Sequence, residues 1–179
     1  EKCPHYKYTK PVAQAIRDCD GMIFTTPVYV MAESAQMKAF LDHFGYLFMN
    51  HRPMEDMFHK IGMIISTTAG AGTTNAMRSI SKSMRYWGVK RIYKAGFVLM
   101  SKNWEDMKLK KQTKFQKKLN RKANVFYKKI KNRKNLTPRI FTRIMFTIMR
   151  RIVMKYPDDS LEKKYFINNG WHKPRNRPF

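Results

Sequence analysis

The chain has 179 residues, of which 43% are hydrophobic and 13% aromatic, and this composition supplies a packed core and excludes a wholly disordered protein. The formal net charge of +25 predicts acidic surroundings, such as a phosphorylated ligand, an anionic lipid surface or nucleic acid. Two cysteines exclude a disulfide-rich secreted scaffold, and no apolar run is long enough to cross a bilayer. We therefore expect a cytoplasmic protein.

Helical and strand patterns alternate in the first part of the chain. They predict a helix over 11–17, a strand over 22–24, a helix over 33–48, a strand over 61–66, a helix over 74–87 that stops at Gly88, and a strand over 92–100. This alternation is typical of an α/β domain with a parallel sheet and right-handed crossovers. A doubly wound domain normally has about five or more strands. Because the chain starts at Glu1 without a Met, we expect the first strands to precede it.

The basic character of the chain is concentrated in its C-terminal part. No acidic residue lies between Asp106 and Asp158, whereas Lys and Arg recur throughout this segment. We divide the chain into a partial α/β domain over 1–100 and a basic, mainly helical region over 101–179. A solvated basic helix is the favoured interpretation of 108–134, and polyanion binding is the sharper alternative.

A second basic helix is predicted near the C-terminus. Thr137-Pro138 is a good helix start, because Thr can cap the helix and Pro suits its first turn. The apolar stripe of this helix consists of Ile140, Phe141, Ile144, Met145, Ile148, Met149, Ile152 and Val153, with Arg139, Arg143, Arg150 and Arg151 near its borders. Such a helix fits an anionic membrane surface, a partner subunit or the protein's own core, and the pattern leaves these alternatives open.

Two loops follow consecutive strands and should therefore meet at the carboxyl edge of the sheet, where ligands bind in open α/β folds. In the first loop, Pro27 cannot donate to a sheet ladder, and Tyr29 can stack on a flat ligand. The second loop, over 67–74, is rich in Gly and Thr, which permit close approach of the backbone to a ligand and supply hydroxyl donors. It lacks the P-loop and dinucleotide-binding spacings. The alternative is that Pro27 only ends a strand and Tyr29 packs on the next helix.

The stretch DGMIFTTPVYVMAESAQMKAFLDH resembles the NADPH-dependent FMN reductase and iron-sulfur flavoprotein group of the flavodoxin-like fold. The matching motifs are Asp20-Gly21, Pro27-Val28-Tyr29, Lys38-Ala39-Phe40-Leu41-Asp42, the strand KIGMIIST with its Gly-rich loop, Trp87-Gly88 and, more loosely, KKYFINNGW. His43 replaces the Arg of the family pattern. The resemblance covers residues 3–100 well and implies a flavodoxin-like, doubly wound parallel sheet whose first strands are missing here, followed by a basic helical extension.

The resemblance also implies that FMN is held by three loops. The phosphate-binding loop would precede Glu1. The other two supply the predicted cofactor-binding residues, which are Thr26, Pro27, Val28, Tyr29 and Val30 along the isoalloxazine ring and Thr68, Ala69, Gly70 and Ala71 at its pyrimidine side. No catalytic side chain is implied, because the cofactor carries the chemistry. We predict no metal site, and an iron-sulfur cluster would need cysteines upstream of Cys3.

The function implied by the resemblance is an FMN-dependent NAD(P)H oxidoreductase that passes hydride from the nicotinamide to the flavin and then to an unknown acceptor. That acceptor is a small molecule or an electron-transfer protein. The alternatives are an electron carrier without a nicotinamide step, and a membrane- or polyanion-associated binding protein on a degenerate flavodoxin scaffold. Homo-oligomerisation and peripheral contact with an anionic membrane stay open, and nucleic acid is the least expected partner.

Overall fold

The computed structural model describes residues 3–101 and 103–179 and contains a three-stranded parallel sheet with helices on both faces. The strands β1 (Gly21–Pro27), β2 (Ile61–Thr68) and β3 (Arg91–Val98) lie in the order β1-β2-β3. The helices are α1 (Tyr6–Asp18), α2 (Ala35–His43), α3 (Thr73–Tyr86), α4 (Leu109–Lys131), α5 (Ile140–Val153) and α6 (Leu161–Asn168). Short 3₁₀ helices lie at Gly45–Leu47, Glu55–His59 and Arg133–Asn135. The predicted α/β class and parallel sheet are confirmed.

The pairing of the strands brings the ends of β1 and β2 together. Thr26 pairs with Ser66, and Ser66 pairs with Gly96 on the other side. One position later, Pro27 still pairs with Thr67, so β1 runs further than the predicted strand over 22–24. The loops that follow β1 and β2 therefore leave the sheet side by side at its carboxyl edge.

One face of the sheet carries a core to which α1, α2 and α3 contribute. The fully buried Trp87 lies at its centre, with its ring 6.2 Å from that of Phe24 and 6.4 Å from that of Phe44, both in edge-to-face geometry. Such aromatic pairs add stability beyond the burial of their area. The other buried members are Ile16, Met22, Leu41, Leu47, Met54, Met57, Ile64, Met77, Ile80, Met84 and Val89.

The opposite face is covered by α4 over β2 and β3. The buried core on this face consists of Ile61, Met63, Ala95, Phe97 and Phe126. Ile23 of β1 shares this face through its pairing with Met63 but stays exposed. The apolar side of the predicted basic helix therefore packs on the sheet and forms one layer of the α/β fold. Its lysines face solvent or bind strand carbonyls, as Lys118 does with a bond of 2.7 Å to the Gly96 oxygen.

The C-terminal helices α5 and α6 form a second core with the segment that precedes β2. Its buried members are Met49, Phe58, Phe146, Val153, Phe166 and Trp171. Two polar contacts anchor this region: the Tyr165 hydroxyl donates to the Pro53 oxygen at 2.8 Å, and the buried Arg150 donates to the Pro174 oxygen at 3.1 Å. In the part of the chain that the structure describes, no helix has both the length and the apolar character needed to cross a bilayer. The proposed domain boundary at residue 100 stays a prediction.

Several element boundaries differ from those predicted. The helix predicted over 33–48 begins later, because the Ser34 hydroxyl caps α2 by accepting from the Met37 N–H at 3.3 Å, and it ends at His43. Helix α1 begins at Tyr6 rather than at Pro11, which lies inside it. Helix α5 begins after Arg139, whose extended backbone displaces the start expected at Pro138. The predicted stop at Gly88 is confirmed by its φ of +97°.

The second core makes a direct stability prediction. Phe146 is fully buried, and its ring packs near those of Phe58, Phe166 and Trp171. Phe146→Ala should lower the free energy of unfolding by about 3–5 kcal/mol, because it removes apolar contacts and leaves a cavity. Urea denaturation followed by circular dichroism measures this change. The exposed Leu161 supplies the control, since Leu161→Ala should cost less than about 0.5 kcal/mol. Equal costs for the two variants would contradict the second core.

Candidate functional site

The first loop after β1 folds into a tight turn. The Val28 N–H donates to the Thr67 oxygen at 2.9 Å, which ties the start of the loop to β2. Tyr29 and Ala32 then exchange two main-chain hydrogen bonds of 3.0 and 2.9 Å. The two residues between them, Val30 and Met31, have φ values of +46° and +62°. Turns with two positive φ angles favour Asn-Gly, so Val and Met here are held in a strained conformation.

This turn presents apolar and aromatic side chains to solvent. Val30 is 99% exposed and Tyr29 is 60% exposed, and Met31 is also exposed. Tyr29 is thus available to a ligand, and the alternative of burial against the next helix does not describe its position. Backbone strain and exposed apolar side chains in the same four residues are typical of a binding loop.

Thr26 supports this loop from inside the fold. It is buried, its hydroxyl accepts a hydrogen bond from the Ser34 N–H at 3.0 Å, and it donates to the Pro27 oxygen at 3.0 Å. Ser34 is also the capping residue of α2. Both ends of the first loop are therefore fixed by one hydroxyl, and that hydroxyl is already bonded within the chain.

The second loop, between β2 and α3, is held by Thr68. The Thr68 hydroxyl donates to the Ala71 oxygen at 2.7 Å and accepts from the Gly70 N–H at 3.2 Å. Ala69, Gly70 and Ala71 are exposed around this closed turn. The Thr68 hydroxyl is therefore used within the loop, and the surface available to a ligand is mainly backbone.

Gly72 joins the two loops. Its φ is +97°, and a Cβ atom there would lie 2.8 Å from Val28 Cγ1 and 3.2 Å from Met31 Sδ. A Cβ at Gly70, in contrast, would meet no atom within 4 Å. Sequence reasoning did not include Gly72 and Met31 among the site residues. The Gly70-Ala71-Gly72 spacing indicates that the loop needs glycine. It does not indicate that Gly72, and not Gly70, packs against the first loop.

The joined loops leave main-chain donors free at the edge of the sheet. Within residues 3–101 and 103–179, the structure assigns no hydrogen bond to the N–H groups of Val30, Met31, Ala69 and Ala71. Unbonded main-chain N–H groups and the exposed Tyr29 side chain suit a flat heteroaromatic ligand with carbonyl groups on its rim. None of the nine predicted site residues carries a carboxylate, an imidazole or an amine, so none of them offers a side-chain acid or base near neutral pH.

The cysteines show no arrangement for a cluster in the described part of the chain. Cys3 is exposed and Cys19 half-buried, and no group of three or more His, Cys, Asp or Glu side chains there is placed to hold a metal ion. Burial raises the pKa of the Cys19 thiol, which keeps it protonated and disfavours it as a ligand. The Cys19 Sγ instead donates to the Ile16 oxygen at 3.4 Å.

A separate groove of about 530 Å³ lies between β3 and α4. Gly96, Val98 and Phe115 form its apolar part, and four cations, Lys114, Lys117, Lys118 and Arg121, surround it. None of the nine predicted site residues lines this groove. The loops after β1 and β2 form an open surface, whereas the basic groove lies along the outer edge of β3.

The contact at Gly72 predicts that Gly72 and Gly70 differ in how well they tolerate a side chain. Gly72→Val should lower the free energy of unfolding by about 1–3 kcal/mol, because it forces a branched side chain into positive φ and against Val28. Gly70→Val should change it by less than about 0.5 kcal/mol, since its Cβ enters open space. Urea denaturation of both variants without ligand measures the difference. A larger loss for Gly70→Val would contradict the described loop contact.

Comparison with known proteins supports the fold and gives the family. A flavone reductase shares the fold with a TM-score of 0.54 and 11% sequence identity, over 78% of this chain and 51% of that one. An NADH:FMN oxidoreductase in its apo form gives a TM-score of 0.49 and 20% identity, over 76% of this chain and 64% of that one. This chain therefore spans about half to two thirds of the length of these two structures. A search of curated proteins gave no match.

The family profile described as NADPH-dependent FMN reductase matches residues 1–105, which is more than half of the chain. The match includes all three strands and both loops at the carboxyl edge of the sheet. The flavodoxin-like fold class predicted from the motifs is thereby confirmed. The chain belongs to the NADPH-dependent FMN reductase family.

Proposed function

We propose that the chain is the part of an FMN-dependent NAD(P)H oxidoreductase that holds the flavin ring between the loops after β1 and β2. The observation that carries this proposal is the strained, exposed turn from Tyr29 to Ala32 and its contact with the Gly-rich loop through Gly72. Strain at a ligand-binding edge is retained where it serves binding. Membership of the FMN reductase family supports flavin as the ligand.

The residues present fit a flavin ring. Tyr29 offers an exposed aromatic face, and the N–H groups of Val30, Met31, Ala69 and Ala71 are free to donate to the carbonyl groups of a dioxopyrimidine ring. In this proposal Pro27, Val28, Tyr29 and Val30 lie along the ring, and Thr68, Ala69, Gly70 and Ala71 lie at its pyrimidine side. Thr26 and Thr68 shape the two loops, since their hydroxyls are already bonded within the chain.

The chain's contribution is binding, orientation and exclusion of water from one side of the ring. A bound flavin would supply acceptance of hydride from NAD(P)H and delivery of electrons to an acceptor. The open space over Gly70 allows the backbone to approach such a ring closely. Oxidation assays with NADH and with NADPH measure the choice of nicotinamide. Assays with different electron acceptors identify the acceptor.

The proposal predicts flavin-dependent oxidation of NAD(P)H. The protein that contains this chain should bind FMN and should oxidise NADH or NADPH. The loss of the absorbance of the reduced nicotinamide measures this oxidation. Addition of quinones, nitro compounds or ferric complexes then tests the acceptor. FMN binding without NAD(P)H oxidation would identify an electron carrier instead. Absence of both would refute the proposal.

Gly70 provides the residue-level test. Gly70→Val should lower the affinity for FMN by at least about tenfold, because a branched side chain would occupy the space required by the ring. Gly45→Val is the matched control: a Cβ at Gly45 also meets nothing within 4 Å, but Gly45 lies in a 3₁₀ helix away from the loops. Quenching of flavin fluorescence on titration measures both affinities. Equal affinities for the two folded variants would remove the second loop from the site.

A further inference from the structure

Helix α5 has apolar side chains on two sides, and only one of them is covered. Phe146 and Val153 are fully buried in the second core, and Met145 and Met149 pack against it. Four isoleucines spaced four residues apart face solvent instead. We name these residues the isoleucine ladder: Ile140, Ile144, Ile148 and Ile152.

The isoleucine ladder is a continuous exposed surface. Its members are between 40% and 73% exposed, and residues four apart lie above one another on an α-helix. At a rise of 1.5 Å per residue the ladder is about 18 Å long. The sequence predicted a single apolar stripe that contained these isoleucines together with Val153. The structure divides that stripe, and packing against the protein's own core accounts for only part of it.

Arginines border the isoleucine ladder. A shallow depression of about 380 Å³ is lined by three members of the ladder together with Arg143, Arg151 and Arg177. All three arginines are exposed, and within residues 3–101 and 103–179 none forms a salt bridge. No acidic residue lies in 107–157, so the cations on α5 have no carboxylate on their own helix. The surface combines aliphatic side chains with uncompensated positive charge.

We propose that the isoleucine ladder and its bordering arginines dock on a membrane surface that contains anionic lipid. The isoleucines enter the boundary between headgroups and acyl chains, and Arg143, Arg151 and Arg177 contact the lipid phosphates. A helix that lies in the membrane interface needs both an apolar face to insert and basic side chains beside it. This surface provides both, and its opposite side is anchored to the second core.

Charge makes the membrane a better occupant than a second copy of the chain. In a two-fold symmetric interface the same patch meets itself, so the arginines beside one ladder would approach those beside the other. No carboxylate on α5 is available to pair with them. Nucleic acid would satisfy the arginines but would leave the isoleucines without apolar partners.

Vesicle co-sedimentation of the 179-residue chain tests the proposal. One set of vesicles contains phosphatidylcholine alone, and the other contains phosphatidylcholine with about one third phosphatidylglycerol. The chain should bind the anionic vesicles at least about tenfold more tightly, and binding should weaken as salt rises from about 0.05 to 0.5 M. Equal binding to the two kinds of vesicle would overturn the proposal.

Two double variants separate the apolar and electrostatic contributions. Ile144→Gln with Ile148→Gln should lower the affinity for anionic vesicles by about tenfold, because the apolar face no longer inserts. Arg143→Glu with Arg151→Glu should lower it by more than about 100-fold. All four side chains are exposed, so both variants should fold, and circular dichroism checks this. Retention of full binding by either variant would contradict the proposed surface.

The control variant reverses two positive charges, as the arginine variant does, but on α4 instead of α5. Lys114→Glu with Lys117→Glu alters two exposed cations beside the basic groove of α4 and should reduce vesicle affinity by less than about threefold. A loss as large as that of the arginine variant would show that total charge, and not the ladder, drives binding. Sedimentation equilibrium without vesicles gives the remaining outcome. If the unchanged chain is a dimer and the variant with Ile144→Gln and Ile148→Gln is a monomer, the isoleucine ladder serves self-association. That result would overturn the membrane proposal.

Discussion

The candidate site depends on one close contact, the packing of Gly72 against Val28 and Met31. Parallel strands in register bring the ends of β1 and β2 together, but register alone would leave two independent loops. The absence of a side chain at Gly72 lets the start of α3 lie against the turn that follows β1. The bond from the Val28 N–H to the Thr67 oxygen closes the same junction from the sheet side. A strained turn with positive φ at Val and Met is thus supported by its neighbours, as strained backbone in folded proteins requires.

The strong positive charge of the chain has more than one structural use. In α4 the lysines surround an apolar side that forms part of the α/β fold, and two of them, Lys111 and Lys118, donate to the carbonyl oxygens of Leu99 and Gly96. In α5 the buried Arg150 donates to the Pro174 oxygen, whereas Arg143 and Arg151 stay in solvent beside exposed isoleucines. The same residue type therefore fixes the chain's own backbone in one place and remains free for an anionic partner in another. The flavin proposal does not depend on this second surface.

Sequence reasoning predicted the parts of the fold that depend on local pattern. The three strands follow from short apolar runs, and the stop of α3 follows from Gly88. The turn at Val30 was not predictable, because tertiary contacts at Gly72 override the local preference of a branched residue for negative φ. The division of the apolar stripe of α5 into a buried and an exposed part could not be predicted from the sequence either. The periodicity indicates only one broad apolar face. Which part becomes buried depends on Met49 and Phe58, which are distant in sequence.

The central claim is that the loops after β1 and β2 bind the flavin ring, and amide chemical shifts test it most directly. Riboflavin has the ring without the phosphate, so the basic groove between β3 and α4 should not attract it. Titration of the ¹⁵N-labelled chain with riboflavin should shift the amide signals of Val30, Met31, Ala69 and Ala71 most strongly. Shifts confined to the groove around Lys114 and Arg121, or no shift in either loop at saturating riboflavin, would contradict the account.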